Sequence, residues 1–209
     1  MRATALLLLV LLSGCDELGY VNAPPRHLTV KTESLMDAET AQRVLSARFR
    51  QYLPSLFSSM KTERTSDGIT FSFERGAPAA RVVEYLVSNR GHLVAASADG
   101  RVWFTEQDVV DAQASPGLSD DNGLILTLAM PAAARVKRLS AESQSQGQLV
   151  RITFDEQLLA SPKVHGAVSG RSLRISIKKQ LNELSLIATV IRSGTLPDRV
   201  SIVRSDLPQ

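Results

Sequence analysis

Apolar and polar residues alternate with a period of two over residues 27–32, where Leu28 and Val30 interleave with Thr29 and Lys31, which predicts a half-buried strand. The spacing then lengthens. Ala41, Val44, Leu45, Arg48 and Phe49 recur at helical intervals, with Asp37 as the expected N-cap, Glu39 in the first turn and Pro54 as the stop. Residues 57–64 and 69–74 read as a hairpin across Ser66-Asp67-Gly68, its second arm marked by Ile69, Phe71 and Phe73. Pro78 opens a second helix with Ala79, Val82, Val83, Leu86 and Val87 on one face, and Gly91 closes it. A strand follows over residues 92–98. The order strand, helix, strand, strand, helix, strand predicts an α+β fold with a ferredoxin-like split βαβ base.

Past Asp99-Gly100, which reads as a hinge, a second α+β lobe is expected. It begins with a short strand over 102–104 and a brief helix or turn over 106–112. A polar loop over 115–123 precedes the apolar strand 124–129, and Pro131 starts a helix carrying Ala132, Val136 and Leu139. Residues 140–148 read as a polar loop. Strand 149–154 turns at Asp155-Glu156, Leu158, Leu159 and Val164 flank Pro162, and Leu173, Ile175 and Ile177 form another strand. Leu181, Leu184, Ile187, Ala188 and Ile191 trace a last long helix ending at Gly194; Val200, Ile202 and Val203 form the final strand, and the tail after it is expected to fray. The expected division is 1–14 signal, 15–26 linker, 27–100 base, 101–204 head and 205–209 tail.

The first fourteen residues follow a different rule. Arg2 supplies one positive charge, and residues 3–12 hold only Ala, Thr, Leu and Val, the design of a secretory signal. Ten residues are too few to cross a hydrocarbon core of about 30 Å. The end of the run, Leu12-Ser13-Gly14-Cys15, resembles a bacterial lipobox, and Cys15 is the only cysteine. The resemblance implies cleavage before Cys15, a diacylglycerol on its sulfur and an acyl chain such as palmitate on the new amino terminus. Each buried methylene then adds about 0.8 kcal/mol to membrane anchoring. Asp16 resembles the enterobacterial signal for retention at the inner membrane. The partner expected here is therefore a lipid bilayer, with the body of the chain facing the periplasm.

Composition removes several function classes. The formal net charge is +3, and +2 once Arg2 is cut away, with basic residues scattered and aromatics few. No nucleic-acid partner is expected. His27, His92 and His165 lie far apart and have no metal-ligand spacing, so neither a metal nor a cofactor is expected. Ser161-Pro162-Lys163 reads as a turn rather than a serine–lysine pair, and Asp120-Asp121 as a solvated loop. Trp103 and Phe104 read as core. No catalytic residue is assigned, and the chain is read as a non-enzyme.

Several segments together resemble the protein-export membrane protein SecD. They are residues 149–154 followed by Asp155, Leu158-Leu159-Ala160-Ser161-Pro162 with Val164, and Leu173-Arg174-Ile175. The run Ile191-Arg192-Ser193-Gly194-Thr195-Leu196-Pro197 is similar to that family's helix ending in Arg-X-Gly-X-Leu-Pro. Phe104-Thr105, Asp108-Val109 and Asp111-Ala112 are similar to its Thr-Gly-X-Asp turn, and residues 44–49 to its helix ending in Arg-Ile. Ser176 stands where the family carries glycine. The resemblance covers the base and head of the first periplasmic domain and implies that fold, together with contact to a preprotein or to the Sec translocon. It does not carry over proton-driven export, because no membrane span follows the signal to hold the acidic residues such a path needs. The function expected is that of a non-catalytic envelope lipoprotein in protein export. The alternative is a partner-binding lipoprotein of another envelope assembly built on the same fold.

Overall fold

The computed structural model describes residues 25–57, 59–66, 68–74, 78–117, 122–143, 147–197 and 200–208. Cys15, Asp16, Asp67, Asp120, Asp121 and the signal and linker before Pro25 lie outside the described residues.

The first lobe is a four-stranded sheet covered on one face. Strand β1 is Arg26–Thr32 and strands β2 and β3 are Met60–Thr65 and Gly68–Phe73, joined as the expected hairpin. Helix α1, Leu35–Tyr52, lies over them, followed by the short helical turn α2, Pro54–Phe57, where a strand was expected to begin. Ser34, not Asp37, caps α1: its hydroxyl accepts the Asp37 amide at 3.1 Å and donates to the Asp37 carboxylate at 2.6 Å. The buried stripe of α1 is Ala41, Val44, Leu45, Arg48 and Phe49. Phe49 meets Phe71 and Phe73 of β3 edge to face, with centroids 5.2 and 5.9 Å apart. Helix α3, Ala80–Ser88, buries Val83, Leu86 and Val87.

The fourth strand of this sheet is not the one the element order suggested. Strand β4, Leu93–Ser97, pairs with β5, Val102–Thr105, and with β8, Val150–Phe154, which pairs in turn with β9, Gln157–Ala160. The place beside β1 is taken by β11, Val200–Ser205, giving the order β11-β1-β3-β2. This is the ferredoxin-like antiparallel order, closed by a strand from the far end of the chain. The reason lies in β4 itself. Leu93, Ala95 and Ser97 are buried on one face while Val94 and Ala96 are half-buried on the other, so β4 is suited to the interior of a sheet. Flanked by β5 and β8, it has neighbours on both sides; β11 is exposed along most of its length and suits an edge.

Asp99-Gly100 is therefore the turn of the β4–β5 hairpin within one sheet and not a hinge between lobes. Ser97 donates to Asp99 at 2.5 Å, and Arg101 grips Asp99 at 2.7 Å and Glu142 at 2.9 Å. The expected boundary after residue 100 falls inside this clasp. Three other expectations change for local reasons. Residues 106–108 are a single 3-10 turn, closed by reciprocal bonds between Thr105 and Asp108, after which the chain extends as β6, Val109–Ser115. Helix α4, Met130–Ser143, runs past the expected stop because Ser140 is buried, bonding the Lys137 carbonyl and the Val168 amide. The tail is docked: Asp206 accepts the His27 amide, Pro208 accepts the Ala80 amide at 2.8 Å, and Leu207 is buried.

Strand β7, Gly123–Leu128, lies between β6 and β10, Ser172–Ser176, in a third sheet of order β10-β7-β6. Helix α5, Leu181–Ser193, packs on that sheet with one side and on α1 and α3 with the other. An amphipathic surface helix would bury one stripe. Here Ile187, Ala188, Thr189, Val190 and Ile191 are buried consecutively, as a helix enclosed on two sides requires.

Because α5 is shared, the two lobes should unfold together. Leu184→Ala, in a fully buried position, should cost about 3 kcal/mol. Urea curves followed by Trp103 fluorescence, which reports the second lobe, and by far-ultraviolet circular dichroism should remain superimposed. Two separated transitions would show that the lobes fold independently.

Candidate functional site

Two features stand out from the packing: a polar knot where the helices end, and an apolar cleft in the second lobe. The knot is centred on Arg48. Its side chain is fully buried, and its hydrogen-bond partners among the described residues are backbone carbonyls, not carboxylates. One guanidinium nitrogen donates to the carbonyls of Leu86 and Asn89, at 2.5 and 2.6 Å, and the other to those of Arg90 and Gly194, both at 3.0 Å. These carbonyls belong to the C-terminal ends of α3 and α5, where the last turns lack helical partners and carry partial negative charge. A planar fork with several fixed donors suits this task, which a lysine could not perform. Burial lowers the Arg48 pKa to about 9, opposed chiefly by the negative charge of Asp155. Arg48 is thus still a cation at neutral pH.

Asp155 closes the knot. With Glu156 it occupies the β8–β9 turn, both with positive φ (46° and 68°), and its carboxylate accepts the amides of Gly91 and His92 at 3.0 and 2.8 Å. Gly91 has a φ of +94°, and a Cβ there would press on Arg48 and Val190 at 3.2 Å. Only glycine combines that backbone with that clearance. The Leu196 amide then donates to the Arg90 carbonyl at 2.8 Å. Further along, Arg192 reaches Gln51 at 3.0 Å and approaches Asp111 at 3.7 Å. Residues from separate sequence motifs (Arg48, Asp111, Asp155, Arg192, Gly194 and Leu196) therefore meet at one seam.

The cleft has a volume of about 340 Å³. Its walls are Trp103 and Phe104 of β5, Val136 of α4, Val150 and Ile152 of β8, and the segment from Pro162 to Val168 that leads into β10. Trp103 and Phe104 are core residues, as expected, and also line this opening. The indole N–H of Trp103 is buried with no acceptor among the described residues, an uncommon state for such a group. The sequence marked these side chains only as apolar, so nothing in it distinguished a cleft wall from ordinary core.

The expected minor sites separate. Ser161 and Lys163 are both exposed, and Lys163 is held in a bridge to Leu149. His27, on β1, meets Ser72 at 3.0 Å, and His92, just before β4, lies 3.4 Å from the Glu106 carboxylate. Among the described residues no group of acidic, histidine or cysteine side chains could hold a metal, and no helix is long and apolar enough to cross a membrane.

Arg48→Met would strand four carbonyls, that of Leu86 buried and those of Asn89, Arg90 and Gly194 half-buried, and should destabilise the fold by about 3 kcal/mol, with Arg48→Lys recovering only a small part. Arg48 stays protonated in both states between pH 5 and 8, so the wild-type-minus-R48M difference should be flat across that range in chemical unfolding. A difference that changes steeply there would mean that another titrating group carries the knot.

Comparison with known proteins agrees with this architecture. The family model described as SecDF, P1 head subdomain, matches residues 82–198. The chain is 26% identical over 193 residues to protein translocase subunit SecDF of Brucella abortus, covering 90% of this chain and 24% of that protein. It is also 26% identical over 108 residues to protein translocase subunit SecD of Acidaminococcus fermentans, covering 51% of this chain and 25% of that protein. The chain thus spans about a quarter of the length of these curated relatives. A crystal structure of SecDF in its super-membrane-facing form superposes with a TM-score of 0.69 at 18% identity, covering 87% of this chain and 29% of that one. A second structure, of a membrane component SecDF that enhances protein export, gives a TM-score of 0.64 at 17% identity and is matched over 98% of its length, with 87% of this chain covered. These likenesses show the fold. With more than half of its residues matched by the family model, the chain belongs to the SecDF P1 head subdomain family.

Proposed function

We propose that this chain is a non-catalytic, lipid-anchored factor of bacterial protein export, whose head cleft holds an apolar segment of a polypeptide on the periplasmic side of the membrane. The observation that carries the reading is the cleft itself. An opening of about 340 Å³ lined by Trp103, Phe104, Val136, Val150 and Ile152 takes one or two large apolar side chains. The names of the relatives, translocase subunits, support the same setting.

The anchor in this reading is the thioether at Cys15, with Asp16 favouring the inner membrane. From Cys15 to Arg26 an extended chain reaches at most about 40 Å, so the base stays close to the bilayer. The partners are a preprotein leaving the translocon, or the Sec translocon itself.

A photo-crosslinking residue at His165, exposed at the cleft, should form adducts with a preprotein arrested during secretion, and Leu173→Ser should reduce their yield about fivefold. Adducts to another envelope protein, with none to preprotein or translocon, would overturn the export reading. Separately, Cys15→Ser should release the chain from membranes into the soluble periplasmic fraction. Mass spectrometry of the wild-type amino terminus should find a triacylated cysteine, and an unmodified Cys15 would refute the anchor.

A further inference from the structure

The two edges of the base sheet are finished differently. At one edge, β2 carries Lys61, Glu63 and Arg64. Lys61 is ion-paired with Glu74, and Arg64 bonds Gln42 at 2.6 Å. Charged side chains of this kind keep other strands away. At the other edge, β11 pairs only with β1 and shows Ser201, Ile202 and Val203 to solvent, with Ile202 37% and Val203 55% exposed. A register shift opposite Thr29 and Val30 leaves Val203 as a bulge, so the regular free ladder is Val200–Ile202.

Beside that edge runs a groove of about 520 Å³ between α3 and β11. Ala80, Val83, Val200, Ile202 and Leu207 line it. Ile202 lies opposite Val30 and Val200 opposite Thr32, so both point to the helix side of the sheet and into this groove. Glu84 stands on the α3 wall, exposed, with no cation against it among the described residues. A strand edge next to a helix, with a groove between, presents backbone partners on one side and pockets for every second side chain on the other.

We propose that this edge and groove form a second binding site, distinct from the head cleft. It takes an extended polypeptide strand with apolar side chains at alternate positions and a Lys or Arg opposite Glu84. The occupant adds to β11 as a fifth strand. Because the free ladder is short, side chains in the groove supply most of the selectivity. The site does not depend on the cleft, and either can fail without the other.

The test uses the full chain and a fluorescein-labelled ten-residue peptide of alternating Val and Thr with one Lys, read by anisotropy. Binding is expected. Methylating the two backbone nitrogens that would face β11 should weaken it about tenfold while leaving every side chain in place. Ile202→Lys should weaken it about tenfold or more, and Glu84→Gln about threefold for the Lys peptide only. Leu173→Ser in the head cleft should leave it unchanged. The methylated peptide needs no protein variant, so it decides the matter even if Ile202→Lys folds poorly. Absence of binding, equal binding of the methylated peptide, loss of binding with Leu173→Ser, or a stable dimer of the chain that Ile202→Lys dissolves would overturn the proposal.

Discussion

A fully buried guanidinium whose hydrogen-bond partners among the described residues are all backbone carbonyls is the constraint around which the structure is arranged. Arg48 must be satisfied by something, because an unpaired charge away from water is untenable. The structure answers with four carbonyls for its two terminal nitrogens, drawn from the ends of α3 and α5, while Nε has no partner among the described residues. Helix ends are where unpartnered carbonyls are already available, so one side chain resolves several deficits at once. The geometry that follows is strict. Helices α3 and α5 must stop within reach of the same residue of α1, Gly91 must leave room, and Asp155 must hold the backbone that turns into β4.

From that knot the two lobes become one body. Helix α5 is enclosed by α1 and α3 on one side and by the β10-β7-β6 sheet on the other, which explains its run of consecutively buried residues. The chain leaves the base after α3, builds the second lobe, and returns through α5 to complete the base with β11. The final strand and its docked tail fix the last described residues beside the first: Asp206 and Pro208 bond to His27 and Ala80. The cleft and the β11 groove lie in different lobes.

The periodicities carried much of this architecture. Period-two runs at Ile69, Phe71 and Phe73, and the helical stripe from Ala41 to Phe49, are local consequences of which side chains must leave water. Arg48 falls within that stripe, a cation among apolar positions. The motif residues were legible too, but their meeting was not. Asp155, Gly91 and Gly194 are far apart in the chain, and what unites them is a guanidinium whose partners are backbone atoms, which leave no mark in side-chain identity. The cap of α1 is Ser34 and not the expected Asp37 for a smaller reason: the two side chains bond each other, and only the backbone conformation shows which residue precedes the helix.

By itself the sequence determined the α+β class, the order and faces of most elements, the ferredoxin-like character of the base and the kinship with SecD, because these rest on local periodicity and short motifs. The tertiary structure decided which strand closes the base. Both β4 and β11 have strand-forming sequences, and the choice depends on which suits the interior of a sheet and which an edge. It also decided that Asp99-Gly100 is a clasped turn, that Trp103 and Phe104 border a cleft, and that β11 is left uncovered. Each of these depends on what comes to lie next to a residue, and neighbours far apart in the chain are set by the packing of the whole.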